Sequence, residues 1–280
     1  MMIGVIDVGG GMRGIYGAGV LDRCLDDQIS FDCCIGISAG AANVLAFLAK
    51  QRGRDYKFFY EYSFRKRYMS IWNFFIGHRL FNLDYVYDTL SGSKGEFPLD
   101  YPTLAKYQGI VNIVTTDAVT GKPAYFTLDD LHQDDYEVVK ASCALPFFCN
   151  PQKVYGKQYF DGGVSDPVPI DRAFELGCDK IVLILTKPKD VRRTTERDDK
   201  GVKLIRRRYP EVAKTLHKRA EVYNRAVDRA IELEKEGKVL IVAPDDTCGI
   251  DTTKKTKEGL KALYEKGLAD GAAIRDFVNR

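Results

Sequence analysis

No apolar run in the chain approaches the ~18 residues that a membrane-spanning helix needs. A bilayer-embedded fold is therefore not expected. Histidine is scarce: His78, His132 and His217 are the only three, far apart and without metal-ligand spacing. A histidine-based metal centre is therefore not expected. Cys24, Cys33, Cys34, Cys143, Cys149, Cys178 and Cys248 make an odd number with no C-x-x-C pair. Most lie in apolar stretches, which reads as buried free thiols in a reducing compartment rather than a disulfide framework. Internal repeats are absent, and nothing in the composition marks disorder or a coiled coil. The start, Met1 to Val8, carries no basic leader and no cleavage pattern, so a mature cytoplasmic start is expected.

What is present is an ordinary globular composition, 45% hydrophobic and 29% charged over 280 residues. That length suffices for one large α/β domain or two small ones. The net charge of +3 is uneven. Lys187 to Arg219 holds thirteen Lys/Arg against five Asp/Glu, a local +8, so the remainder is −5. Such a stretch reads as a solvated loop and exposed helix face, or as a surface for anionic lipid headgroups. Nucleic acid is not expected as a partner, because no recognition fold surrounds the run.

The chain alternates strand-like and helix-like segments. Strands are expected at Ile3 to Val8, Phe31 to Ile37, Ile110 to Thr115, Lys153 to Phe160, Ile181 to Leu185 and Val239 to Val242, with Ala124 to Leu128 pairing beside the third. Helices are expected at Ile15 to Leu25, Ala41 to Gln51, Tyr136 to Ala144, Ile170 to Leu176, Val212 to Glu236 and Leu260 to Val278. Buried strands between helices predict an α/β fold with a mostly parallel sheet covered on both faces. Phe58 to Tyr87 breaks the rhythm, with twelve aromatics in thirty residues, Arg65-Lys66-Arg67 and Trp72-Asn73-Phe74-Phe75. It reads as two aromatic-rich helices on the core, or as a cap that receives an acyl chain and meets a lipid surface.

Two glycine-framed segments carry chemistry. Gly36-Ile37-Ser38-Ala39-Gly40 lies between a strand and a helix, the context of a nucleophile elbow. At average Gly and Ser usage the pentapeptide arises by chance in roughly one chain of this length in ten, so its surroundings decide. The first strand ends in Gly9-Gly10-Gly11-Met12-Arg13-Gly14 before a helix. Backbone amides there bind negative charge, as an oxyanion hole or as a nucleotide phosphate loop. Ile6-Asp7-Val8 before the glycines suits the second reading as well. A glycine loop and a serine elbow at neighbouring strand ends favour acyl transfer. The serine needs a base. None of the three histidines follows a strand at a glycine turn, whereas Asp161 in Tyr159-Phe160-Asp161-Gly162-Gly163 closes one. Three readings remain open at this point: a serine hydrolase using Asp161, a Ser-His-Asp esterase or acyltransferase using one of the histidines, and a non-catalytic nucleotide- or phosphate-binding module.

The three segments in this order resemble the motifs of patatin-like phospholipases, over about Ile3 to Ile170 and more loosely to Pro188. Lys140-Ala141-Ser142-Cys143-Ala144-Leu145-Pro146 is similar to a further family stretch near the pocket, with Ser142 read as structural. The resemblance implies a three-layer α/β/α sandwich with a mostly parallel central sheet, and a bacterial lipid acyl hydrolase with a Ser38–Asp161 dyad, an acyl-enzyme intermediate and no metal or cofactor. Its oxyanion hole lies in the loop Gly9, Gly10, Gly11, Met12, Arg13 and Gly14, with Gly10 and Gly11 as the donors and Arg13 fixing the loop or balancing charge. Gly36, Gly40, Gly162 and Gly163 support the motifs. The implied substrate is a phospholipid or other fatty-acyl ester, met by a cytoplasmic protein in transient contact with a membrane surface. The implied domain is 3–188, with 189–280 an extension packed on it.

Overall fold

The computed structural model describes residues 1–70, 73 and 80–279. Its centre is one sheet built from β1 (Ile3–Asp7), β2 (Cys33–Ile37), β3 (Ile110–Asp117), β4 (Pro123–Phe126), β5 (Gln152–Val154), β6 (Lys157–Asp161), β7 (Lys180–Ile184) and β8 (Val239–Val242). The order is β5-β6-β3-β2-β1-β7-β8, with β4 also on β3. The run from β3 to β8 is parallel, while β4, β5 and β6 are antiparallel additions.

Successive strand residues feed opposite cores. Val5, Cys34, Val111, Val182 and Val242 belong to one apolar cluster, and Ile6, Cys33, Ile35, Ile181 and Ile241 to the other. Both faces are therefore covered, which explains strands without polar alternation. Helices Ile15–Asp26, Ala39–Leu48, Glu137–Ser142 and Lys257–Asp270 close one face. Ile170–Glu175 and Pro210–Lys235 close the other, giving the expected three-layer α/β/α sandwich. The long helix presents Val212, Leu216, Ala220, Tyr223, Val227, Ala230 and Leu233 inward, a helical stripe of spacing three and four.

Residues beyond 189 are woven into this body. β8 pairs in parallel with β7, and Tyr264 and Asp270 on Lys257–Asp270 hydrogen-bond Asp22 (2.6 Å) and Tyr16 (2.7 Å) on the first helix.

Two local expectations are corrected, and two segments are resolved further. Lys153 to Phe160 is two strands, not one: Tyr155 and Gly156 take φ of 48° and 78°, the left-handed pair of a tight hairpin turn. The final helix breaks at Gly271 into Lys257–Asp270 and Ala273–Val278. The basic stretch contains the helix Glu196–Ile205, whose first turn holds Glu196, Asp198 and Asp199, the favourable acidic end. In the aromatic segment the described residues form helix Arg54–Tyr60, a 3-10 turn at Tyr62–Phe64 and a π-helical turn at Tyr85–Leu90, packed as a satellite cluster around Tyr62 and Leu90. Trp72, Phe74, Phe75 and His78 lie outside the described residues.

Candidate active site

The registers bring three strand ends level. Asp7 of β1 pairs with Gly36 of β2 and with Ile184 of β7. The chain leaving each end, at Gly9, Ser38 and Thr186, therefore converges on one edge of the sheet, where open α/β folds build their sites. On β3, Val114 pairs with Ile37 and the adjacent Thr115 pairs with Asp161. One strand thus serves as a template that sets the end of β6 beside the residue following β2.

Ser38 has φ 57° and ψ −129°, a strained backbone between β2 and helix Ala39–Leu48. Such a conformation costs on the order of 1–3 kcal/mol and persists only where the surroundings enforce it. Two contacts do so. The Ser38 backbone N–H donates to the hydroxyl of buried Ser142 at 2.9 Å, and that hydroxyl donates to the Val114 carbonyl at 2.7 Å. A Cβ on Gly40 would lie 2.2 Å from the Asp7 carbonyl oxygen, so only glycine lets the elbow seat on β1. Gly9 fits from the other side: its φ is 60°, and a Cβ there would lie 2.3 Å from the Ile37 carbonyl.

The glycine loop is held from beneath and from the far end of the chain. Buried Asp7 accepts the Gly9 N–H at 2.8 Å and Asn43 Nδ2 at 2.8 Å. Burial raises the Asp7 carboxyl to about 6, against these stabilising bonds. Thr186 donates its hydroxyl to the Gly9 carbonyl. The Met12 N–H donates to the Thr252 carbonyl at 3.1 Å, and Arg13 Nη1 bonds Asp251 at 2.6 Å and Thr252 Oγ1 at 3.3 Å. The Gly9 and Met12 amides are engaged, and those of Gly10 and Gly11 have no acceptor among the described residues. Gly14 lies against Ala39 and Phe59, and the Arg13 guanidinium lies against Gly10.

Asp161 ends β6 and accepts the Gly163 N–H at 2.8 Å. Burial raises its pKa; Arg219, the Ser38 side chain, the Gly163 amide and Arg193 pull it back. The carboxylate is thus desolvated but charge-balanced, the condition that makes an aspartate a usable base. Gly162 packs on the Val114 carbonyl, and Gly163 near Ile37.

Ser38 stands at the junction of two cavities. One, of about 490 Å³, is lined by the glycine loop, Asp161 and basic residues from 187–219. The other is a narrow groove of about 80 Å³ lined by Met12, Phe58, Phe59, Leu83, Val86 and Tyr87 among others. Gly11 and Ser38 border both. Neither described histidine lines either cavity. His132 sits in an exposed turn, and His217 lies on the outer face of the long helix, 3.2 Å from Asp199. No group of His, Cys, Asp or Glu suited to hold a metal occurs among the described residues. Nor is any described helix long and apolar enough to cross a membrane.

The sequence signals missed Asp7 and Asn43 as the loop's support, Thr186, the Asp251–Thr252 clasp and the Arg193–Arg219 pair. Each contributes through a contact remote in sequence.

A family model described as patatin-like phospholipase matches residues 8–174. A second, described as a domain of unknown function (DUF6363), matches 209–277. The chain is similar to the uncharacterized protein YjjU of Escherichia coli (strain K12), 31% identical over 209 residues, covering 69% of this chain and 54% of that one. The fold is similar to the crystal structure of VipD from Legionella pneumophila, with TM-score 0.57 and 14% identity, covering 98% of this chain and 66% of VipD. The chain therefore spans about half the length of the curated relative and about two thirds of VipD. At that identity the likeness to VipD concerns fold alone.

Proposed function

Because the chain belongs to the patatin-like phospholipase family, we propose that it is a lipid acyl hydrolase in which Ser38 is the nucleophile and Asp161 its base. Ser38 Oγ attacks the ester carbonyl while its proton passes to Asp161. The Gly10 and Gly11 amides hold the oxyanion, with each such donor typically worth ~3–4 kcal/mol. The tetrahedral intermediate collapses, the C–O bond to the alcohol breaks, and Asp161 returns the proton to that leaving oxygen. Water then attacks the acyl-enzyme, giving its proton to Asp161, and the fatty acid leaves as Ser38 is reprotonated. The aromatic groove receives the acyl chain. Residues 189–280 belong to the same catalytic body, and their basic surface makes transient contact with the lipid phase of the cytoplasm-facing membrane.

The observation that carries this reading is the placement of Ser38 and the desolvated Asp161 carboxylate on the wall of one cavity, at neighbouring strand ends, with neither described histidine lining it. A fluorophosphonate probe should label the protein, and labelling should vanish in Ser38→Ala. Asp161→Asn should lower hydrolysis of a short-chain p-nitrophenyl ester by at least ~10³-fold while leaving the melting temperature near that of the native protein. Replacing His132 and His217 together should leave both readouts intact. Full activity in Asp161→Asn, or loss in the histidine variant, overturns the dyad. No labelling together with thermal stabilisation by ATP favours the phosphate-binding alternative.

A further inference from the structure

We propose that the larger cavity beside Ser38 selects acyl esters whose headgroup bears an uncompensated phosphate charge, and that Arg193 is the residue that reads it. The inference rests on the hydrolase reading of Ser38 and adds the chemical class of the substrate. The cavity wall carries Arg13, Lys187, Arg192, Arg193, Lys200 and Arg219 against Asp161 and Asp198, and behind it Asp251 pairs with Arg13 and Asp228 with Arg192, so cations remain in excess. Asp161 is committed to Ser38 and the Gly163 amide, and Asp198 faces Arg219 Nη1 at 3.3 Å. The excess of cations favours an anion and disfavours the ammonium of a zwitterionic headgroup.

Arg193 is built for the task. Its backbone is clamped from both sides by Asn224, which accepts the Arg193 N–H at 2.9 Å and donates to its carbonyl at 3.1 Å. Its guanidinium stacks on the Tyr223 ring at 4.4 Å, and among the described residues no carboxylate pairs with it. Desolvation, then Arg219 and Arg13, hold its pKa below the ordinary value, with Tyr223 and Asp198 acting against them. Arg219 adds a buried Nε with no hydrogen-bond partner, and its Nη2 lies beside Gly163. A buried guanidinium donor left open is costly unless a ligand completes it. Planar guanidinium groups match phosphate oxygens in pairs. The geometry also orders the substrate. Ser38 lies where the basic cavity meets the aromatic groove, so the ester sits between a phosphate on one side and an acyl chain on the other. All the basic residues except Arg13 come from 187–219, beyond the 8–174 match.

The test uses the full chain and monomeric dihexanoyl lipids below their micelle concentration, which removes attraction to a charged surface. Dihexanoyl phosphatidic acid should be hydrolysed with kcat/KM at least ~10-fold above dihexanoyl phosphatidylcholine. Arg193→Gln should erase most of that ratio through KM, and Arg193→Lys should restore part of it. Calorimetry on Ser38→Ala should give the same preference as Kd, so selectivity is read even if hydrolysis fails. Binding of the dihexanoyl phosphatidic acid should exceed that of glycerol 3-phosphate by at least ~10-fold. Equal affinity for the two would mark a soluble phosphate ligand and overturn the substrate assignment. Equal treatment of the two lipids by the native chain, or an unchanged ratio in Arg193→Gln, overturns the role of Arg193.

Discussion

Ser142 holds Ser38 by its backbone: its hydroxyl accepts the Ser38 N–H at 2.9 Å and is itself anchored to the Val114 carbonyl at 2.7 Å. The hydroxyl therefore ties the strained elbow to the strand whose next residue, Thr115, pairs with Asp161. One side chain fixes the distance between two strand ends.

Ser142→Ala should leave the Ser38 N–H and the Val114 carbonyl without these partners. An unsatisfied buried group costs about 1–3 kcal/mol. The melting temperature should fall accordingly, and ester hydrolysis should drop by about 10²-fold, the penalty for displacing a reacting group by roughly an ångström. Thermal denaturation and steady-state kinetics on the same preparation check both. A stability loss with unchanged kcat would mean that the elbow keeps its geometry without the strut.

The acid limb of activity should follow Asp161. Burial raises its pKa, and Arg219 is the main group opposing that rise. Catalysis needs the ionised carboxylate, so the rate climbs as pH rises through this pKa and is lost as pH falls. Arg219→Gln removes the opposing cation and frees Asp198 from its 3.3 Å partner. Both changes move the acid limb to higher pH. The rate of fluorophosphonate labelling between pH 4 and 8 measures it, and an unmoved limb would exclude Arg219 as the stabilising charge.

Asp7 should give the fold a pH dependence. Its carboxyl rises from 3.8 to about 6 on folding. Between these values the native state holds a proton that the unfolded chain has released, so stability falls as pH rises and levels off above about 6. The shift corresponds to about 3 kcal/mol at neutral pH. Asp7→Asn removes that slope, and it also removes an acceptor for Asn43 Nδ2, a constant loss. The gap between variant and native stability in urea unfolding should therefore move in the variant's favour by about 2 kcal/mol from pH 4 to pH 7. A constant gap would show that Asp7 titrates normally.

The layered fold and the three glycine motifs were legible because their signals are local. Apolar strands alternate with periodic helices, and an elbow or a Gly-Gly turn needs its glycines at fixed offsets. The hairpin at Tyr155-Gly156 was also within reach, since Gly156 follows an exposed Tyr155 between two alternating runs. Helix Glu196–Ile205 was masked by its charge: only a few apolar residues, Val202 and Ile205 among them, face the core. What the sequence could not reveal were partnerships across the chain. Thr252 gives no local sign that its carbonyl holds Met12, nor Asn224 that it clamps Arg193. Such contacts are fixed by sheet order and helix packing, not by spacing.

The clasp between Arg13 and Asp251 joins residues 238 apart in sequence. On a ribosome adding roughly 5–20 residues per second, the glycine loop emerges tens of seconds before the segment that secures it. Ser38 and Asp161 are likewise synthesised well ahead of Thr252. A chain that ends before Asp251 thus carries Ser38 beside a glycine loop without its clasp. The loop beside Ser38 is therefore fastened only once a segment 238 residues further along the chain has been made.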